Sequence, residues 1–152
     1  MSFTTGYLSD PAKSGAGELY GVDHTVLGSE TFEDGLKVGR FAKLDGGSLD
    51  NMDGSATPVI AGVVIRTPSA TVEAGDSINA DLTTGGVSYA QRGLVSVSLK
   101  AGETPVIKGV VYASNAGDVN DGLAQAVVTD GVDTGAVFLE EIKTGVWLID
   151  QK

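Results

Sequence analysis

The chain contains no cysteine, a single histidine, four prolines and few aromatic residues, 6% of the total. Without cysteine there is no disulfide scaffold, thiolate zinc site, iron–sulfur cluster or Cys nucleophile. Basic side chains are scarce as well: ten against twenty acidic ones, a formal net charge of −10 over 152 residues. That balance argues against nucleic acid and anionic membrane surfaces as partners, because both select for Lys and Arg. Long apolar runs are also missing. The longest, Val59–Ile65, is interrupted by Gly62 and falls far short of the ~20 residues of a spanning helix. Met1–Gly6 lacks the basic and apolar regions of a secretory signal. The chain is therefore expected to be made and to stay in the cytoplasm, unless an assembly carries it elsewhere.

What is abundant is glycine, 22 residues. From residue 36 onward the glycines punctuate short apolar segments. Leu94–Leu99 alternates Val95, Val97 and Leu99 with Ser96 and Ser98, the period of a half-buried strand. Val59–Ile65 and Val106–Tyr112 are continuous apolar runs suited to strands covered on both faces. Leu36–Leu44, Thr71–Glu73, Ser77–Leu82, Leu123–Thr129, Ala136–Ile142 and Val146–Ile149 complete the set, with a helix over Leu123–Val128 as the alternative at that place. Turn sequences such as Asp45-Gly46-Gly47, Asp53-Gly54, Asp121-Gly122 and Thr144-Gly145 separate them and supply the positive φ of tight turns. Short strands at this spacing predict an all-β domain, a jelly-roll-like barrel or sandwich, over residues 36–152. Residues 1–35 show no persistent period apart from a possible short strand within Glu18–Leu27. They read either as an irregular N-terminal arm laid across something else or as a poorly ordered terminus.

One octapeptide occurs twice. Thr57-Pro58-Val59-Ile60-Ala61-Gly62-Val63-Val64 returns 47 residues later as Thr104-Pro105-Val106-Ile107-Lys108-Gly109-Val110-Val111, with seven of eight positions identical. Each copy is expected to be a strand opened by its Pro. Gly62 and Gly109 would form a matched mid-strand pair, marking a bulge or the close approach of a neighbouring backbone. Both copies follow another apolar segment, so two equivalent strand–turn–strand units are expected.

Catalytic patterns are absent. The lone imidazole, His24, lies in the arm, no G-x-S-x-G elbow or phosphate loop is present, and Gly15-Ala16-Gly17 lacks the third glycine of a dinucleotide loop. Glu140 and Glu141 are adjacent, so on a strand they point to opposite faces. No catalytic residue, cofactor site or metal ligand is assigned. The loops Asp45–Gly54, Asp118–Asp121 and Asp130–Asp133 are rich in oxygen ligands, but Asp and Asn also dominate turns for local reasons.

The runs Gly39–Leu44, Pro58–Val64, Val72–Asp76, Arg92–Val97 with Pro105–Tyr112, Gly135–Glu140 and Val146–Ile149, together with the arm, resemble the structural cement, or capsid decoration, proteins of tailed bacteriophages. The resemblance implies a small β-barrel, made in the host bacterial cytoplasm, on the outside of the icosahedral shell in the virion. There it would clamp neighbouring major capsid subunits and pair with itself as a homodimer or homotrimer at symmetry axes. It supplies no catalytic residue. Phe3, Tyr7, Leu19 and Tyr20, taken as exposed apolar residues of the arm, are the candidate partner contacts. Competing readings are a phage tail or head-completion protein and a carbohydrate-binding β-sandwich.

Overall fold

The computed structural model describes residues 16–20, 26–32, 36–65, 71–72, 81–84 and 87–152. Among these there is no helix. The strands are β1 (Val26–Phe32), β2 (Leu36–Lys37), β3 (Phe41–Asp45), β4 (Ser48–Asn51), β5 (Val59–Ile65) and β6 (Thr71–Val72). They are followed by β7 (Asp81–Thr84), β8 (Val87–Ser98), β9 (Val110–Ser114), β10 (Ala124–Gln125), β11 (Gly131–Lys143) and β12 (Val146–Gln151). Nine of them form one sheet in the order β1-β4-β3-β5-β8-β12-β11-β9-β10, while β2, β7 and β6 form a small second sheet. The large sheet curls until β1 also pairs with β8, and a bridge from Leu99 to Ala124 brings β10 back to the end of β8. The all-β barrel or sandwich expected from the turn spacing is the observed class.

Tight glycine turns build the hairpins. Gly46 and Gly47 both have positive φ and join β3 to β4 with Asp45 opposite Ser48, the type I′ geometry that matches strand twist. β4 itself is too polar to stand out as a strand in the sequence.

β8 organises the molecule. Its first half faces β1 on one edge and β5 on the other, and its second half pairs with β12. Gln91 is an extra residue relative to β1, and Gly93 follows at φ +99°. Such a bulge reverses which residues face which side. Tyr89 lies in a small core with Leu36, Val38, Ala42, Leu49 and Val64. Beyond the bulge, Val95 and Val97 enter the main core with Phe41, Val63, Val111, Phe138 and Ile149. Ser96 and Ser98, expected on an open face, are buried, because residues 16–20 and Gly39 lie across that edge. Gly17 donates to the Ser96 carbonyl at 2.8 Å, Ser96 to that of Glu18 at 2.9 Å, and Ser98 to that of Gly39 at 2.9 Å.

The texture change near residue 35 is thus not where the sheet begins. β1 and residues 16–20 lie within the first 35 residues and both run along β8.

The two octapeptides are not equivalent. The first is β5, where the expectation for Gly62 holds: Ala61 is an extra residue relative to β3, and a Cβ on Gly62 would lie 2.1 Å from the Ala90 carbonyl oxygen. In the second, Val106–Gly109 is a turn and the strand begins only at Val110. Gly109 is therefore not a mid-strand residue, and β8 pairs with β5 and β12 while β9 pairs with β11 and β10. The second expected strand–turn–strand unit does not form, because the strand before it is already flanked on both edges.

Candidate interaction surface

The polar residues near the first octapeptide hold the fold together. Lys43 on β3 is buried and donates from Nζ to Asp53 Oδ2 at 2.7 Å and Ser55 Oγ at 3.0 Å, with Asp45 Oδ2 at 3.9 Å. The bond to Asp53 raises the Lys43 pKa against the opposing cost of burial. Asp53 is held down to about 2, chiefly by Lys43 and then by the hydroxyl and amide of Ser55. Arg40, also buried, donates from Nη1 to the carbonyls of Val119 at 2.8 Å and Asp121 at 3.1 Å. Asn115 clasps the Asp53 loop from the other side, accepting from Gly54 N at 2.8 Å and donating to the Ser55 carbonyl at 2.9 Å.

The acid-rich loops are occupied locally. Asp121 accepts from Gly117 N, Asp118 from Asn120 N and Asp133 from Gly135 N. Among the described residues no group of three or more His, Cys, Asp or Glu side chains converges as a metal site would require. Phe41, Tyr89 and Phe138 are buried, and Trp147 packs edge-on against Phe138 at 5.6 Å, so these four serve the core instead of a sugar platform.

Phe3, Tyr7 and His24 lie outside the described residues. Leu19 and Tyr20, expected to be exposed, are half-buried: Leu19 bridges Val95 and packs on the main core, and Tyr20 N donates to the Leu94 carbonyl at 3.0 Å. Both belong to the chain's own sheet.

The exposed apolar surface lies elsewhere. Val106 is 70% exposed, Ile107 63%, Val110 42%, Val127 51% and Val128 64%. The β9–β10 ladder ends at Gln125 opposite Tyr112, so Val110 and Val127 each lie two residues beyond the last pair, at the same end. Val106 and Ile107 are folded back beside Val110 by a turn in which Gly109 N donates to the Val106 carbonyl at 2.8 Å. Glu103 Oε2 accepts from Ala126 N at 2.9 Å and ties the two segments together. Fully buried Gln125 donates to the carbonyls of Val127 and Thr129, both at 2.8 Å, which turns Val127 and Val128 outward. Thr104–Tyr112 and Gly122–Thr129 contain no Asp or Glu and one charge, Lys108, in a chain with twenty acids. An aliphatic patch on so acidic a protein, with the nearby Glu103 carboxylate engaged by Ala126 N, marks a surface meant to be covered.

Residues 4–150 match the family described as XM1 gp53 minor capsid protein. The chain belongs to that family. A chain of the solved structure "The capsid of Myoviridae Phage XM1" superimposes with a TM-score of 0.80, covering 100% of this chain and 98% of that one at 29% identity. No curated protein matches. The family is one of phage capsid-associated structural proteins, which accords with the resemblance drawn from the strand and glycine pattern. Within this family member the aliphatic patch was missed in the sequence because Val106–Tyr112 and Leu123–Thr129 both read as core strands. The one available signal was Lys108, a charge placed before glycine where the first copy has Ala61.

Proposed function

We propose that the chain is a cement, or decoration, protein on the outer surface of a phage shell, clamping neighbouring major capsid subunits by a mechanical, non-catalytic role. The aliphatic patch of Val106, Ile107, Val110, Val127 and Val128 carries this reading, because a capsid-family protein with net charge −10 would otherwise repel like-charged neighbours. The arm is the proposed second contact: Leu19 and Tyr20 anchor its base on β8, and Phe3 and Tyr7 reach the neighbour. Two modest contacts in one chain make the second effectively intramolecular, so affinity rises without a large single interface. Copies at symmetry axes would pair as a homodimer or homotrimer.

The test is addition of the purified protein to shells assembled from the major subunit alone. Saturable binding at many copies per particle, with a higher shell melting temperature, is expected. Ile107→Asp and Val128→Asp should each reduce affinity at least tenfold, the loss of a contact worth about 1.4 kcal/mol or more. Failure of the wild-type protein to bind such shells overturns the reading.

A further inference from the structure

A cleft of about 570 Å³, lined chiefly by Lys37, Arg40, Leu99, Ala101, Val119 and Leu123, opens beside the start of the described chain. Val119 at its rim is 84% exposed, more than any other large apolar residue among those described. The lining holds two cations and, among the described residues, no carboxylate, in a chain with twice as many acids as bases. Arg40 is fixed in place by the carbonyls of Val119 and Asp121, and the Asp121 carboxylate is engaged by Gly117 N at 3.0 Å. Such a cleft suits a short segment that carries an aliphatic side chain and a carboxylate. The chain itself leads towards it. Residues 16–20 run antiparallel to β8: Tyr20 N donates to the Leu94 carbonyl, Ser96 N to that of Glu18 and Gly17 N to that of Ser96. Followed towards the N-terminus, this segment therefore heads for Leu99. Fully buried Ala16 packs on Gly39, where an added Cβ would collide with it, and Lys37 and Arg40 flank that contact.

We propose that this cleft is the dock for Leu8–Asp10 of the same chain, with Leu8 against Leu99, Ala101 and Leu123 and Asp10 beside Lys37 and Arg40. Leu8–Asp10 lie outside the described residues, and their chemistry makes the assignment. Asp10 is the sole acid of residues 1–15, and Leu8 stands two residues before it. Pro11 confines Asp10 to extended backbone. On an extended stretch Leu8 and Asp10 share one face while Tyr7 and Ser9 take the other. The chain from Ala16 back to Leu8 spans at most ~29 Å, ample for a cleft that begins beside Gly39. Docking there sets the direction in which the remaining arm leaves the domain: Tyr7 faces outward, and Phe3 lies further along the same course. The contact is within one chain and exists before any partner binds.

The lack of native cysteine makes thiol pairing a clean probe. In the full chain Leu8→Cys is combined with Ala101→Cys, an exposed position in the cleft lining, and Ser2→Cys with Ala101→Cys is the reference pair. Melting temperatures equal to wild type under reducing conditions check that both variants fold. With oxidised glutathione the Leu8 pair should close an intramolecular disulfide at least tenfold faster than the Ser2 pair, where the shorter tether alone accounts for about twofold. Adding Asp10→Lys to the Leu8 pair should slow closure at least threefold, and less so at high salt. Closure no faster than the tether accounts for overturns the dock. Disulfide-linked dimers forming at a rate that rises with protein concentration assign the cleft to the arm of a second copy and overturn docking within one chain. Closure untouched by Asp10→Lys overturns the placing of Asp10 beside Lys37 and Arg40. Every reading is taken without shells, so the cement role stands or falls separately.

Discussion

Thr57–Val64 and Thr104–Val111 differ only at Ala61 and Lys108, yet one is a central strand and the other a turn followed by a strand. Val63 is fully buried between β3 and β8, while Val106 and Ile107 stand in solvent. The octapeptide therefore sets a preference, and the neighbouring chain decides how it is spent. Where β3 lies alongside, extended backbone groups find partners and the apolar side chains find cover. In the second copy β11 reaches only as far as Lys108 and Gly109, through Phe138, and Gly109 N closes a local hydrogen bond onto the Val106 carbonyl instead.

The sharpest way to break this contrast is to place the same change in both copies. Gly62→Ala introduces a Cβ 2.1 Å from the Ala90 carbonyl oxygen at φ +152°, and should cost about 3–4 kcal/mol in urea denaturation or prevent folding. Gly109→Ala meets the Val106 carbonyl oxygen at 2.8 Å, but at ordinary φ and in a turn that can shift, and should cost about 1 kcal/mol. Equal costs would mean that the two glycines do the same work after all.

A smaller separation is expected for Val63→Ala, about 2–3 kcal/mol for lost burial plus a cavity, against less than about 0.5 kcal/mol for Val106→Ala. A large loss of stability at Val106 would place it in the core and remove the exposed patch.

The first copy's surroundings also carry the pH response. Asp53 has its pKa lowered from 3.8 to about 2 by Lys43 and Ser55, so its stabilising contribution is present above 3.8 and is lost as the pH falls from 3.8 through about 2. Lys43, raised above 10.5, contributes below that value and loses its contribution as the pH climbs through the raised pKa. Asp53→Asn should lower the melting temperature at pH 7, and the gap to wild type should close as the pH approaches 2. An unchanged gap would show that the ion pair is not the source.

A small effect is expected at the one differing residue. Lys108→Gly relieves a left-handed lysine but adds freedom to the unfolded chain, so the net change should stay within about 1 kcal/mol of wild type, with a gain more expected than a loss. A clear destabilisation in thermal melting would mean that the lysine side chain, and not the backbone geometry, holds the turn.

Much of the body was legible in the sequence. The strand Val59–Ile65 is found with its predicted bounds, and the Thr144-Gly145 turn joins β11 to β12 as its sequence suggests. Less legible was the segment before residue 35, where residues 16–20 and 26–32 join the sheet through backbone groups that any sequence carries. The interaction surface was hidden for the opposite reason. Val106, Ile107, Val127 and Val128 have the composition of a core, and only the end of β10 at Gln125 leaves them uncovered.

By itself the sequence determined the all-β class, the positions of most turns and the lack of any catalytic constellation, because strand period, positive-φ glycines and residue chemistry are properties of a few neighbouring residues. Only the tertiary structure decided which copy of the octapeptide is covered, how the acid-rich loops are satisfied and where the apolar surface faces water. Those outcomes depend on which distant strand arrives alongside, and a seven-residue identity carries no information about its neighbour.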